Sequence, residues 1–251
     1  MTNFALNTNG IDIWQIGFES VDGNRLQRLR ELLSPDEIQR ADRFYFERDR
    51  RRFAVARAAM RWILGQYAHV PPQNLVFAYG PKGKPELSGP VPDSGIAFNL
   101  SHSGEFAMLA ITNKLTVGVD IEFIKPDFGG NEIAERFFSA NEVARLQSLP
   151  ASQQAEAFFS CWTRKEAYIK AIGDGLYVPL DSFEVAFGPD VPAELLVVKT
   201  DPREVSRWSM YNLEAPPGYK AALVAEGKGH NLRRILWQGD REPVSSQFFA
   251  Q

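Results

Sequence analysis

Four short stretches carry side chains whose types and spacing suit chemistry at a charged oxygen. In Val119-Asp120-Ile121-Glu122 the two acids stand at i and i+2. On a strand they project from the same face while Ile121 points to the core. Two hard carboxylates side by side repel unless a cation sits between them, and Mg²⁺ is the usual one. In Trp162-Thr163-Arg164-Lys165-Glu166-Ala167-Tyr168-Ile169-Lys170, Glu166 and Lys170 are i,i+4 neighbours on one face of a helix. Taken alone they form a routine surface pair. Beside Asp120 and Glu122, Glu166 completes a metal site or acts as a base, and the Lys170 ammonium meets phosphate oxygens. The segment 98–104 runs an apolar strand end into a polar turn holding Ser101, His102 and Ser103, which suits an anion. Lys82-Gly83-Lys84-Pro85 offers close backbone approach between two cations. No G-x-S-x-G elbow, P-loop or G-x-G-x-x-G is present. Three acids, several cations and a histidine make up the inventory of Mg²⁺-assisted transfer at a phosphate or pyrophosphate.

The elements that must position these groups follow from an internal repeat. Gly10-Ile11-Asp12-Ile13 recurs as Gly118-Val119-Asp120-Ile121, displaced by 108 residues. The segment 33–37 resembles 138–142, 78–81 resembles 186–189, and Gly104 and Leu109 correspond to Gly218 and Leu223. Each copy reads as a strand (11–16; 116–123) and a first helix with Ser34 and Glu37, or Ser139 and Glu142, as capping box. A longer helix follows (about 51–67; about 156–172), and two further strands close the copy (75–79 and 106–112; 183–187 and 220–226). The expected architecture is α+β: two similar lobes in a pseudo-twofold arrangement, spanning 1–113 and 114–251. The tail from about 231 has no counterpart in the first copy and is expected to add an edge strand through 234–237. The first copy has Asp12 but Trp14 where Glu122 would stand, so one site per chain is expected.

The chain has 251 residues, 44% hydrophobic and 24% charged, which excludes disordered, collagen-like and coiled-coil classes. No apolar run approaches the roughly 20 residues that cross a bilayer, and residues 1–14 lack the pattern of a secretory signal. The single cysteine, Cys161, excludes an intrachain disulfide and a cysteine-based zinc site. A soluble, cytoplasmic protein is expected, with no membrane and no nucleic-acid partner. The net charge of −3 speaks against generic nucleic-acid binding, yet residues 40–61 hold eight arginines against three acids. That local excess suits a phosphate or an acidic protein partner.

The ordered set F-N-L-S-H-S-G (98–104), G-V-D-I-E (118–122) and W-T-R-K-E-A-Y-I-K (162–170) resembles the 4′-phosphopantetheinyl transferases of the long, monomeric, surfactin-synthetase-activating type. The resemblance extends from S-P-D-E and R-F-Y-F (34–46) through G-K-P (83–85) to L-D-S-F (180–183) and P-G-Y-K (217–220). It implies a pseudodimer of two α+β lobes. It also implies transfer of the phosphopantetheine arm of coenzyme A to a serine of an apo acyl, peptidyl or aryl carrier protein, with release of 3′,5′-ADP. By the same resemblance Asp120 and Glu122 bind Mg²⁺ (or Mn²⁺), with Glu166 as third ligand, general base, or both. Lys170 and His102 hold the pyrophosphate, and Ser101 and His102 reach the 3′-phosphate region. Lys84 lies along the nucleotide, and Arg40 and Arg52 supply charge to its phosphates. The family often carries a second basic residue three positions before the one matched by Arg40, where this chain has Glu37. The expectation is that Arg43, Arg50 or Arg51 substitutes, and that Glu37→Lys preserves or raises activity. The rival readings are another Mg²⁺-dependent phosphoryl or nucleotidyl enzyme, and a non-catalytic carrier-binding module.

Overall fold

A computed structural model describes residues 6–80, 83–89, 95–125, 130–173, 178–239 and 244–247. The chain forms two compact units, one reaching Lys114 and the other running from Leu115 to His230, with the segment from Asn231 returning to the first. Among the described residues no helix is long and apolar enough to cross a membrane.

In the first unit β1 (Gly10–Gly17) is followed by α1 (Gly23–Arg30), α2 (Pro35–Asp42) and α3 (Glu47–Ala68). The hairpin β2 (Val76–Tyr79) and β3 (Pro85–Ser88) comes next, then β4 (Ile96–Ser103) and β5 (Phe106–Asn113). Strand β5 lies between β4 and β1, antiparallel to both. Helix α1 starts at Asp22, whose carboxylate accepts the Arg25 N–H at 2.8 Å. Proline at the first position and the Ser34/Glu37 capping box start α2. Helix α3 ends where His69 turns left-handed at φ 54°. Trp14, fully buried on β1, is a spacer beneath α3, edge-on to Trp62 and Tyr67 at 6.5 Å each.

The second unit repeats the order. It comprises β6 (Val117–Phe123), α4 (Gly130–Phe137), α5 (Ala140–Ser148) and α6 (Ala151–Ile172), then β7 (Phe183–Val185) and β8 (Leu195–Val198). A short α7 (Glu204–Arg207) precedes β9 (Trp208–Asn212) and β10 (Tyr219–Glu226). Here β10 lies between β6 and β9, antiparallel to both, the pairing that β5 makes with β1 and β4. The long helices begin earlier than the sequence suggests, at Glu47 and Ala151, because their polar first turns lack the apolar periodicity that marks the rest.

The segment expected to extend the second lobe does not do so. Strand β11 (Asn231–Trp237) lies parallel to β1 from Gly10↔Asn231 to Ile16↔Trp237, and β12 (Val244–Gln247) covers its other side. The five-stranded order is therefore β12-β11-β1-β5-β4, and β11 is interior rather than an edge. Arg233 of β11 donates to both Asp12 oxygens, Nε at 2.8 Å and Nη2 at 2.5 Å, while Tyr67 Oη donates to Oδ2 at 2.5 Å. The Asp12 carboxylate of the first copy thus ties the returning strand to β1.

Each unit also contains a buried carboxylate at the third position of its second helix. Glu37, 2% exposed, accepts from Arg57 Nε at 2.9 Å, Arg57 Nη2 at 2.5 Å, Arg61 Nε at 2.5 Å and the Ser34 N–H at 3.1 Å. Glu142 accepts from Lys165 Nζ at 2.8 Å and from the Ser139 and Val185 N–H groups at 2.9 Å. These ties hold α2 on α3 and α5 on α6. The expectation that lysine at 37 would serve a phosphate is accordingly corrected: that position is internal, and two of the eight arginines, Arg57 and Arg61, share its carboxylate there.

Candidate active site

Strand alternation puts Gly118, Asp120 and Glu122 on one face of β6. Opposite them in register on β10 stand Val224, Ala222 and Lys220. Val119 and Ile121, on the other face, are fully buried. Helix α6 lies across the Gly118–Asp120 face, its Ala167 and Ala171 sharing a core with Ala222 and Val224. Glu166 and Lys170, one turn apart, are therefore carried to Asp120. Lys170 Nζ donates to Asp120 Oδ1 at 2.5 Å, and Asp120 is only 2% exposed. Glu166 is half-buried, and its carboxyl is pushed up to about 7, first by burial, then by the Asp120 charge, with Glu122 adding and Lys170 opposing. Both Asp120 and Glu122 act on Glu166, Asp120 the more strongly.

Among the described residues no three His, Cys, Asp or Glu side chains converge closely enough to grip one ion as they stand. The Lys170 ammonium supplies the positive charge at Asp120 instead. The donors are nonetheless the hard, anionic oxygens that Mg²⁺ prefers, and their mutual repulsion is what such an ion neutralises. The chemistry of the donor set fits the metal.

Beside this face the first half of α6 and the start of β10 enclose a cavity of about 620 Å³, lined in part by Glu156, Ser160, Thr163, Asn212 and Lys220. Lys220 Nζ meets Glu156 Oε2 at 3.0 Å on its rim. Arg164, 1% exposed, fixes the wall: its guanidinium donates to Asn212 Oδ1 at 2.8 Å, to the Val191 carbonyl at 3.1 Å and to the Ala186 carbonyl. Lys165, fully buried, donates to the Leu180 and Phe183 carbonyls at 2.8 and 2.6 Å. Of the consecutive basic residues Arg164 and Lys165, neither faces the carboxylates, while Lys170 does.

The remaining residues singled out from the sequence belong to the first unit. Strand β4 runs on through Ser103, pairing His102 with Ala107, so the expected polar turn is confined to Gly104 and Glu105. Gly104 has φ 54°, which the tight reversal needs. Ser101 is buried and His102 exposed, because neighbours on a strand face opposite ways. Arg40, in the last turn of α2, stacks over Phe53 at 5.3 Å. Arg52 pairs with Glu105 and, at 3.6 Å, with Asp49. Lys84 precedes β3; burial pulls its ammonium below the usual lysine value, with Glu86 opposing. Lys82 lies outside the described residues. Arg51 donates to the Phe18 and Val21 carbonyls and Arg50 to that of Phe44, so both hold backbone. Residue type and spacing give Lys220 and Gly118 no role of their own beyond their places in the P-G-Y-K and G-V-D-I-E strings. The signal for Gly118 was its place in the G-V-D-I-E string, two residues before Asp120.

The amino-acid sequence matches a known family along most of its length. The sequence model of the 4′-phosphopantetheinyl transferase superfamily matches residues 116–224, and that of the 4′-phosphopantetheinyl transferase N-terminal region matches 22–114. The 4′-phosphopantetheinyl transferase HetI of Nostoc sp. is 39% identical over 90% of this chain and 92% of its own length. The 4′-phosphopantetheinyl transferase Sfp of Bacillus subtilis is 32% identical, over 79% of this chain and 84% of its own. The 4′-phosphopantetheinyl transferase gsp of Aneurinibacillus migulanus is 34% identical, over 82% and 81%. The chain belongs to the 4′-phosphopantetheinyl transferase family, in its long Sfp type, and transfers phosphopantetheine from coenzyme A to carrier proteins.

Proposed function

We propose that this transfer takes place on the Gly118–Glu122 face of β6, with Asp120, Glu122 and Glu166 holding Mg²⁺ and Lys170 binding the pyrophosphate. The observation that carries the reading is the meeting of α6 and β6, where Lys170 reaches Asp120 at 2.5 Å with Glu166 one turn before it. The serine oxygen of an acyl, peptidyl or aryl carrier protein attacks the β-phosphorus of coenzyme A. The bond from that phosphorus to the oxygen bridging it to 3′,5′-ADP breaks, and Glu166 accepts the serine proton. When bound, Mg²⁺ neutralises the carboxylate cluster and the charge that grows on the pyrophosphate. Lys170 moves from Asp120 onto the departing phosphate oxygens and stabilises them. Arg40, Arg52, Lys84, Ser101 and His102 bind coenzyme A in this reading. The common element order of the two units supports a duplicated, pseudodimeric chain.

The test is Asp120→Asn and Glu166→Gln assayed for 3′,5′-ADP release with an apo-carrier. Each should lower turnover by at least about 10²-fold, the scale of lost general-base or charge-stabilising groups, while folding normally. Turnover within tenfold of wild type in both would remove them from the mechanism.

A further inference from the structure

Gly118 stands two residues before Asp120, on the same face of β6 and directly beneath α6. A Cβ at this position would lie 2.9 Å from the carbonyl carbon of Lys170, and closer still to Ala167 O and Ala171 N. All three are backbone atoms, so no side-chain rotation relieves the clash. They flank the helical turn that carries Glu166 and Lys170. Gly118 is not among the residues with positive φ, so an L-residue suits its backbone and only space demands glycine.

The first unit shows that the fold itself does not need this contact. At Gly10, the corresponding glycine, the nearest atoms a Cβ would meet belong to Asn7 and not to a helix, its O at 3.2 Å and its N at 3.3 Å. There the buried Trp14, against Trp62 and Tyr67, fills the space between β1 and α3. Backbone-to-helix contact at this glycine occurs in the unit that has the carboxylates.

We propose that Gly118 is a positioning residue for the transfer. Its missing side chain sets the depth at which α6 lies on β6, and that depth brings Glu166 and Lys170 to Asp120. The inference rests on the assignment of this face as the catalytic centre. An alanine must lift α6 by more than about 1 Å to restore ordinary contact with Ala167 O, and a shift of about 1 Å among reacting groups already costs about 10²-fold in rate.

The test compares wild-type, Gly118→Ala and Gly10→Ala full-length proteins. It reads kcat and KM for coenzyme A, thermal unfolding, calorimetric titration with Mg²⁺ alone, and amide exchange over residues 166–171. Gly118→Ala should unfold cooperatively, lose about 10²-fold in kcat, bind Mg²⁺ more weakly and exchange faster at 166–171, while Gly10→Ala keeps the wild-type kcat. Should Gly118→Ala not fold, Ala222→Val wedges the same seam from β10, opposite Asp120, and should give the same pattern. A variant at this seam that is less stable yet retains wild-type kcat and Mg²⁺ affinity overturns the proposal, leaving Gly118 a packing residue. Absence of transfer by wild-type protein overturns the assignment of the site itself, which distinguishes the two failures.

Discussion

Replacing Glu37 with alanine perturbs the first unit at its most charged internal point. The carboxylate is 2% exposed and faces two guanidinium groups that are themselves 8% (Arg57) and 2% (Arg61) exposed. Without it, Arg57 keeps the Tyr79 hydroxyl at 2.8 Å and Arg61 keeps the Pro72 and Leu75 carbonyls at 3.0 and 2.9 Å, but both cations lose the buried carboxylate they share. Breaking a buried pair from one side costs about 3–5 kcal/mol. At the roughly 2–4 °C per kcal/mol usual for chains of this size, the melting midpoint should fall by about 6–20 °C. Glu37→Gln keeps the shape and loses the charge, so it should cost less. Glu37→Lys places a third cation in the cluster and should cost more than alanine, with activity falling alongside the folded fraction. The effect also has a pH sign. Burial raises the Glu37 carboxyl most, but the Arg61 hydrogen bond and the Arg57 and Arg61 charges together outweigh it and hold the group below its ordinary value. A depressed carboxyl contributes stability that is complete above the unfolded value, about 4.3, and is lost as pH falls through the folded one. Wild type should therefore lose this increment in acid, and Glu37→Gln should not. The assay is denaturant unfolding at several pH values. A Glu37→Ala protein within about 1 kcal/mol of wild type at neutral pH would refute the reasoning.

Two further outcomes follow from the second unit. Lys165→Met removes a fully buried cation from Glu142 and should destabilise by about 3–5 kcal/mol, yet kcat per folded molecule should stay within tenfold of wild type. A selective collapse of kcat would place Lys165 in the chemistry. Cys161 is fully buried, and burial, with Glu142 adding, pushes its thiol well above the ordinary value. A thiol-reactive chromophore should leave it untouched in native protein and label it fully on unfolding; rapid native labelling would contradict the packing.

The carboxylate face was legible because its determinants are local: i,i+2 alternation fixes Asp120 with Glu122, and i,i+4 spacing fixes Glu166 with Lys170. The repeat was legible because each copy keeps its capping serine and acid. The course of the tail was not, because β11 pairs with β1 across more than two hundred residues and nothing near 231 names its partner. Glu37 misled because a capping acid looks surface-exposed until the arginines at i+20 and i+24 fold onto it. His102 was placed in a turn since its polar neighbours mimic loop composition, whereas the β4–β5 ladder continues beneath them. The depth of α6 on β6 depends on the absence of one side chain, which spacing rules do not register.

The most direct measurement is the intact mass of an apo acyl carrier protein after incubation with this protein, coenzyme A and Mg²⁺, with a parallel sample in EDTA. The account predicts a gain of one phosphopantetheine that disappears with EDTA. No gain on either acyl or peptidyl carriers by folded protein, or a gain indifferent to EDTA, would contradict it.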